Sequence, residues 1–484
     1  MISLFTLLVL LLGASLAGVL AWLGMAGATQ LTARQQHGYL HWVFPAILFL
    51  LALGSLLSQR DLTTNYALPP ELLGLGPAPV KHPLVAVLQP ALSLMLLVFS
   101  GERLLAHWLL RHLQPTPLLL PLAFAVFWLG STASPALLGA HPFITHDFFY
   151  PLVIGLAAAL ATPRELDLAL RLTRNSLLLL MLTGLLLVPL QPTLVMDTKY
   201  HQGLIHGLPR FAGLASHAVS MGLLAQLGLL CLLARPFERR WLQRSAWALG
   251  LVVLVIAQSK TAWLAFLLSA GVLLLWRHGG QLRQRLSDPL RPTPGVLTLV
   301  LLMLSVVAIS GLVMFGNLGE RLDRFFSSSE GAQLASLTGR DRIWTIAWDE
   351  WARHPVFGYG PQLWGEAYRQ AIGMPNATHA HNQFMDTLSR AGSVGAAALL
   401  GYALLLAVLS LRFARATRGL SVALFVSLLL RAMSEVPLLL FGYGPELISH
   451  LLLLMTLAAA QAQRAPVVHM QRAGPSRSNP QPVH

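Results

Sequence analysis

The sequence predicts an all-α polytopic membrane protein with about 12 transmembrane helices and one long outer loop that contains amphipathic helices. Three observations predict it. First, 55% of the 484 residues are hydrophobic and only 11% are charged, whereas a soluble domain carries roughly 25% charged residues; mean hydropathy is +0.64. Second, apolar runs near the roughly 20 residues that cross a hydrocarbon core recur along the chain. Third, the basic residues concentrate in alternate loops between those runs, the pattern that orients membrane proteins.

Taken in order, the candidate spans are about 2–23, 41–58, 84–110, 117–133, 147–161, 168–189, 213–234, 242–257, 260–276, 296–315, 391–412, 419–436 and 445–463. Breakers such as Pro115, Pro117, Pro163, Pro289 to Pro294 and Gly419 separate them. Residues 1–190 form an N-terminal set of helices and 191–315 a central set carrying basic motifs. An outer loop covers 316–390, a C-terminal set 391–463, and a disordered cytoplasmic tail 464–484. Thirteen runs would leave the two termini on opposite sides. A cytoplasmic N-terminus needs an even number, so one of the first three runs is expected to be partial or interfacial. The loop at 59–83 is rich in Pro and Gly and carries Arg60 and Lys81, which fits that reading. The run Ile2 to Leu23 lacks a basic leader and reads as a retained helix. No fixed-period repeat is visible, which argues against an inverted-repeat transporter.

The net charge of +14 would suggest nucleic acid in a soluble protein. Here Arg103 and Arg111, then Arg164, Arg171 and Arg174, then Arg235, Arg239, Arg240 and Arg244 sit in successive cytoplasmic loops. Arg277, Arg283, Arg285 and Arg291 follow, then Arg412, Arg415 and Arg418. The charge is an orientation signal, and no basic, aromatic-rich module for nucleic acid is present. The single cysteine, Cys231, excludes an intrachain disulfide framework and a Cys-based metal site.

The longest polar interval, 338–395, falls on the outer side. It holds Arg340, Asp341 and Arg342, three Trp at helical spacing, Gly358-Tyr359-Gly360-Pro361, and His379-Ala380-His381-Asn382. Trp344, Trp348 and Trp351 share one helical face, which predicts a helix resting in the membrane interface by its Trp edge. Asn382 reads as the cap of the following helix, whose amide end would favour an anion. Gly392 and Gly395 read as small residues that let helices pack closely. Asp386 with Arg390, and Arg431 with Glu435, are each four apart and read as self-neutralising pairs. Gly358 to Pro361 reads as a structural turn, and the sequon Asn376-Ala377-Thr378 carries no weight here.

His381-Asn382, nine residues, Gly392, two residues and Gly395 together resemble the signature of the O-antigen ligase and polymerase superfamily. Thr338-Gly339-Arg340 through Gly358-Tyr359-Gly360 resembles the loop before that signature. Arg210-Phe211-Ala212-Gly213 and Ser259-Lys260-Thr261 resemble two earlier motifs, so the resemblance runs from about 205 to 400. It implies a GT-C-like arrangement and an O-antigen ligase. Such an enzyme moves O-antigen polysaccharide from undecaprenyl diphosphate to lipid A–core oligosaccharide, at the periplasmic face of a Gram-negative inner membrane.

A diphosphate leaving group gathers negative charge, which needs a divalent metal or fixed cations. The outer loops show no paired carboxylates but supply Arg210, Lys260, Arg340 and Arg342, so a reaction without metal or cofactor is expected. Neutral imidazole accepts a proton at working pH, which makes His381 the candidate general base toward an acceptor hydroxyl, with inversion. Its alternatives are a helix-start hydrogen bond or phosphate binding as imidazolium. His379 would orient His381, touch substrate or stand as an exposed loop residue. The resemblance implies that Arg210, at the start of an outer-facing helix, engages the donor phosphate. Two residues depart from the family pattern: His217 lies where Asn-Pro is expected, and Lys260 replaces Arg. His217 could supply a polar contact or sit in the bundle. His141, His146, Asp147, Asp197, Lys199, His201 and His206 could line an acceptor groove. The rival readings are an O-antigen polymerase, a protein O-oligosaccharyltransferase and, in another class, a transporter of lipid-linked sugars.

Overall fold

The computed structural model describes residues 15, 17–30, 38–58, 60–62, 82–110, 117–198, 208–286, 290, 340–374 and 377–463. Most of the first span, the span at 296–315, the first part of the outer loop (316–339), the tail at 464–484, and Lys199, His201 and His206 lie outside them.

The fold is helical, as expected. The principal helices are α1 (Val43–Leu57), α2 (Pro83–Leu110), α3 (Leu119–Leu138), α4 (Phe149–Ala158) and α5 (Pro163–Leu187). They continue with α6 (Ala218–Ala234), α7 (Arg240–Ile256), α8 (Lys260–Leu286), α9 (Arg340–Arg353), α10 (Gln383–Arg412), α11 (Leu420–Ala432) and α12 (Leu447–Ala462). Among the described residues, six stretches are long and apolar enough to cross a membrane: 40–57 and α2, α3, α5, α8 and α10. The apolar helices α6, α11 and α12 are shorter. The chain is therefore a multi-pass helical membrane protein.

Helix α6 forms the axis of the bundle. Nearly all its residues are buried, and α5, α7 and α8 pack around it. A helix that is apolar all round must be enclosed. Its one strongly polar mid-helix residue, Gln226, receives a hydrogen bond from Ser427 (3.1 Å) and donates one to Ser269 (3.1 Å). This satisfies the amide where no water can and ties α6 to α8 and α11.

Helix polarity defines two ends. The starts of α6, α10 and α12 and the finish of α11 gather at one end. The finishes of α6 and α12, the start of α5 and the α10–α11 turn meet at the other, around the basic residues Arg235, Arg277 and Arg418. The sequence-predicted outer and basic loops thus segregate.

The polar interval is sewn to the kink in α10. Tyr359 N–H donates to Ser389 O and Gly360 N–H to Arg390 O (both 2.9 Å), while Ser393 N–H donates to Pro355 O (2.8 Å). Gly392 sits at φ 63°, ψ −163° inside α10, and a Cβ there would run into the Val356 carbonyl. The expectation of a helix-packing glycine is corrected here: Gly392 makes the break that receives the 355–360 turn. Gly395 does serve close packing, against Gly130 in a π-helical turn of α3.

Two further expectations are corrected. Arg210 does not begin a helix; it lies in a two-residue strand, Arg210–Phe211, antiparallel to Met196–Asp197. Helix α9 does not lie on lipid by its three Trp. Trp344 donates to Ala380 O (2.9 Å) and Trp351 to Ser393 Oγ (3.1 Å). Ile343, Ala347 and Glu350 are the buried face, leaving Trp348, 51% exposed, for the interface. Glu350 holds α9 by accepting from Arg353 (2.8 Å) and Tyr368 (2.9 Å).

Gly392→Ala forces a Cβ into a positive-φ position and should cost about 1–3 kcal/mol. A clearly lower melting temperature for the detergent-solubilised variant is expected, and an unchanged one would remove the kink's structural role.

Candidate functional site

The site forms where the loop before α10 meets the segment after α11. Ala380 N–H donates to the buried Asp386 carboxylate (3.0 Å), which also holds Arg390 Nε (2.9 Å). Arg390 in turn donates to Pro361 O (2.8 Å). The Asp386–Arg390 pair thus forms as the spacing predicts. Asn382 Oδ1 caps α10 by accepting from Met385 N–H (3.1 Å), also as expected.

Pinned on both sides, His381 adopts φ 48°, a conformation rare outside glycine that marks a constrained residue. Its N–H donates to His379 Nδ1 (3.1 Å). That arrangement leaves the His379 proton on Nε2, which lies 3.2 Å from Glu435 Oε2. His381 Nδ1 lies 3.9 Å from the same oxygen, too far for a hydrogen bond. It is buried without a hydrogen-bond partner among the described residues.

Glu435 is the residue that sequence reasoning assigned elsewhere. Helix α11 stops at Ala432, so Glu435 lies just beyond the helix, where its charge still attracts Arg431 as the four-residue spacing predicts. Arg431 also pairs with Glu446, and Glu435 faces the two histidines as well. The signal available in the sequence was Pro437, which limits how far the helix can run.

Burial pushes the His381 imidazole down to about 4; His379, Arg340 and His217 push the same way, and Glu435 opposes them. Burial alone would raise the Glu435 carboxyl. The His379 hydrogen bond and the charges of His379, His381 and His217 outweigh that and leave it below its ordinary range. Burial lowers His217 too; Glu435 counters, while His379, Arg210 and Arg431 add to the lowering. His381 is therefore a neutral base at pH 7, facing an ionised Glu435.

The structure thus brings His217, His379, His381, Arg210 and Arg340 into one electrostatic group around Glu435. His217 caps α6 by accepting from Ser220 N–H at Nδ1 (3.3 Å). Arg210 is buried and reaches Ala257 O through Nε at 3.4 Å. Lys260 and Arg342 are not drawn into the group. Lys260 stands exposed at the first position of α8, and Arg342 braces the loop by donating to Ile372 O (3.1 Å). His141 stacks 4.2 Å from the Tyr359 ring and supports the turn. Arg60, at the same end, donates to the carbonyls of Leu194 (3.1 Å) and Gly213 (2.6 Å), bracing the segment that carries Arg210.

Ligand atoms of His379, His381 and Glu435 lie within 4.8 Å of one another and could hold a cation. A single carboxylate is a poor cation trap here, because Arg340 and Arg431 beside the group oppose a second positive charge. Beside His381, an apolar groove of about 210 Å³ runs from Asn382 and Gln383 between α10 and α11, along Leu399, Leu406, Phe425 and Leu428.

A half-buried histidine, a carboxylate and nearby arginines thus meet at one end of the bundle of a multi-pass helical membrane protein, beside an apolar groove. Residues 245–400 match the family model described as O-antigen ligase. The match takes in Lys260, α9, His379, His381 and the α10 kink; Arg210, His217 and Glu435 lie outside it. No curated protein matches the chain.

Unfolded His381 titrates near 6.5 and folded His381 near 4. Below pH 6.5 the unfolded state therefore binds the extra proton, and the stability this residue contributes at neutral pH is lost as pH falls toward 4. The melting temperature of wild type should drop over that window more than that of His381→Gln; parallel curves would contradict the burial argument. Glu435→Gln should lower the His381 pKa further, read from histidine ¹⁵N shifts, because its carboxylate is what opposes the lowering.

Proposed function

We propose that this protein is an O-antigen ligase: a membrane glycosyltransferase that moves O-antigen polysaccharide from undecaprenyl diphosphate to lipid A–core oligosaccharide, at the periplasmic face of a Gram-negative inner membrane. The observation that carries this reading is His381, held neutral and strained beside Glu435 among Arg210 and Arg340, at the mouth of an apolar groove.

In the reaction, the acceptor hydroxyl oxygen attacks the anomeric carbon of the donor. The bond from that carbon to the diphosphate oxygen breaks, and undecaprenyl diphosphate leaves with the bonding electrons. The hydroxyl proton passes to His381. Nδ1 is the ring nitrogen nearer Glu435, so a proton held there leaves Nε2 as the basic atom, and the carboxylate stabilises the imidazolium that forms. Arg210 and Arg340 receive the charge that grows on the diphosphate. Attack opposite the leaving group inverts the anomeric centre. The groove between α10 and α11 would take the polyprenyl tail, so the diphosphate emerges beside His381.

These fixed cations can do the work of a divalent ion, so we read the transfer as metal-independent. A path for carrying lipid-linked sugars across the membrane would need a polar route through the bundle. The centre is instead filled by α6 with buried leucines such as Leu227 and Leu230, which favours the transferase over the transporter.

His381→Ala should lower in-vitro transfer from polyprenyl-diphosphate glycan to lipid A–core by about 10²–10⁴-fold, with chelator leaving wild-type activity unchanged. Full activity in a folded variant would remove the general-base role. Chelator inhibition reversed by a divalent ion would assign His379, His381 and Glu435 to a metal. Joining of donor to donor in place of lipid A–core would make the enzyme a polymerase.

A further inference from the structure

At the end of the bundle opposite His381, a second cavity of about 790 Å³ opens among the start of α5, the finishes of α6 and α12, α8 and the α10–α11 turn. Arg235, Arg277 and Arg418 line it, and no carboxylate does so among the described residues. Arg235 shares Asp167 with Arg171. Neither Arg277 nor Arg418 has a carboxylate partner among the described residues. Arg277 turns Nη1 to Leu233 O (2.6 Å), covering the carbonyl end of α6, while its Nε is buried with no hydrogen-bond partner among the described residues. Arg235 and Arg418 lie close enough to repel its charge. Three like charges crowded around a cavity at bilayer-surface depth are costly until an anion enters.

We propose that this cavity binds the phosphate headgroup of an anionic phospholipid from the leaflet on that side. Guanidinium groups suit phosphate oxygens. Basic pockets between transmembrane helices at a membrane surface recognise such headgroups. Two features favour a lipid over free phosphate. Apolar residues of α5, α11 and α12, Leu166, Leu420 and Ala460 among them, line the cavity beside the arginines, and Trp276, also in the lining and 44% exposed, offers the indole that prefers the membrane surface. The site would fix the basic end of the bundle to the surface independently of any chemistry at His381.

The test uses the purified full-length protein and reads lipid binding, so it does not depend on glycan transfer. Retention of phosphatidylglycerol against phosphatidylcholine is measured by native mass spectrometry for wild type, Arg418→Gln and Arg277→Gln/Arg418→Gln. Preference for phosphatidylglycerol should fall about five-fold per arginine removed. In parallel, brominated phosphatidylglycerol should quench wild type more than Trp276→Phe, whereas brominated phosphatidylcholine should not distinguish them. This second arm decides the matter even if the arginine variants fail to fold. Equal retention of both lipids, or absence of a Trp276-specific quench, overturns the proposal. Displacement of phosphatidylglycerol by inorganic phosphate alone at matched concentration would also overturn it, in favour of a free-anion site.

Discussion

The structure at the functional end depends on one buried carboxylate. Asp386 is 1% exposed, and its two oxygens serve two different segments: Ala380 N–H on one side and Arg390 on the other. A buried carboxylate is tolerable only when paired and hydrogen-bonded, and here both conditions are met by neighbours that matter to the site. Ala380 fixes the backbone just before His381. Arg390 reaches Pro361 and so ties down the turn that fills the α10 kink. With both ends of the 379–382 loop held, the positive φ of His381 can persist. The strain is sustained by the surrounding hydrogen bonds, as strained functional residues require.

From that clamp the electrostatics follow. Burial and nearby positive groups keep His381 neutral, while Glu435 stays ionised because histidines surround it. The two groups have their pKa values pushed in the same direction for opposite reasons, which sets a base beside an anion that can stabilise its protonated form. The segment that carries Arg210 is held here by the brace that Arg60 builds at the same end of the bundle. A basic residue near the outer surface, at odds with a simple orientation rule, is thereby explained as a carbonyl clamp.

Much of this was legible in the chain. The recurring apolar runs marked the helices because a bilayer accepts little else. The Asn382 cap and the Asp386–Arg390 pair could be read from local spacing, since capping and one-turn pairing need only a continuous helix. His381 was visible through its place in a motif. Reading Arg431 and Glu435 as a closed pair was incomplete, because Arg431 also meets Glu446 and Glu435, past the end of α11, also faces His379. The Trp344 face was misjudged because periodicity tells which residues share a side, and not whether lipid or protein covers it.

By itself the sequence determined a multi-pass helical protein, the long polar interval that holds His379 and His381, and a sorting of basic loops to one side. These depend on hydropathy, local propensity and charge, which act over a few residues. Only the tertiary structure decided that Glu435 faces His379 and His381, that Lys260 and Arg342 stand apart from the group, and that Gly392 is a hinge for a distant turn. Those facts rest on which helix ends meet and where each helix stops. Contacts between residues more than fifty positions apart, such as His379 with Glu435, leave no trace in local spacing.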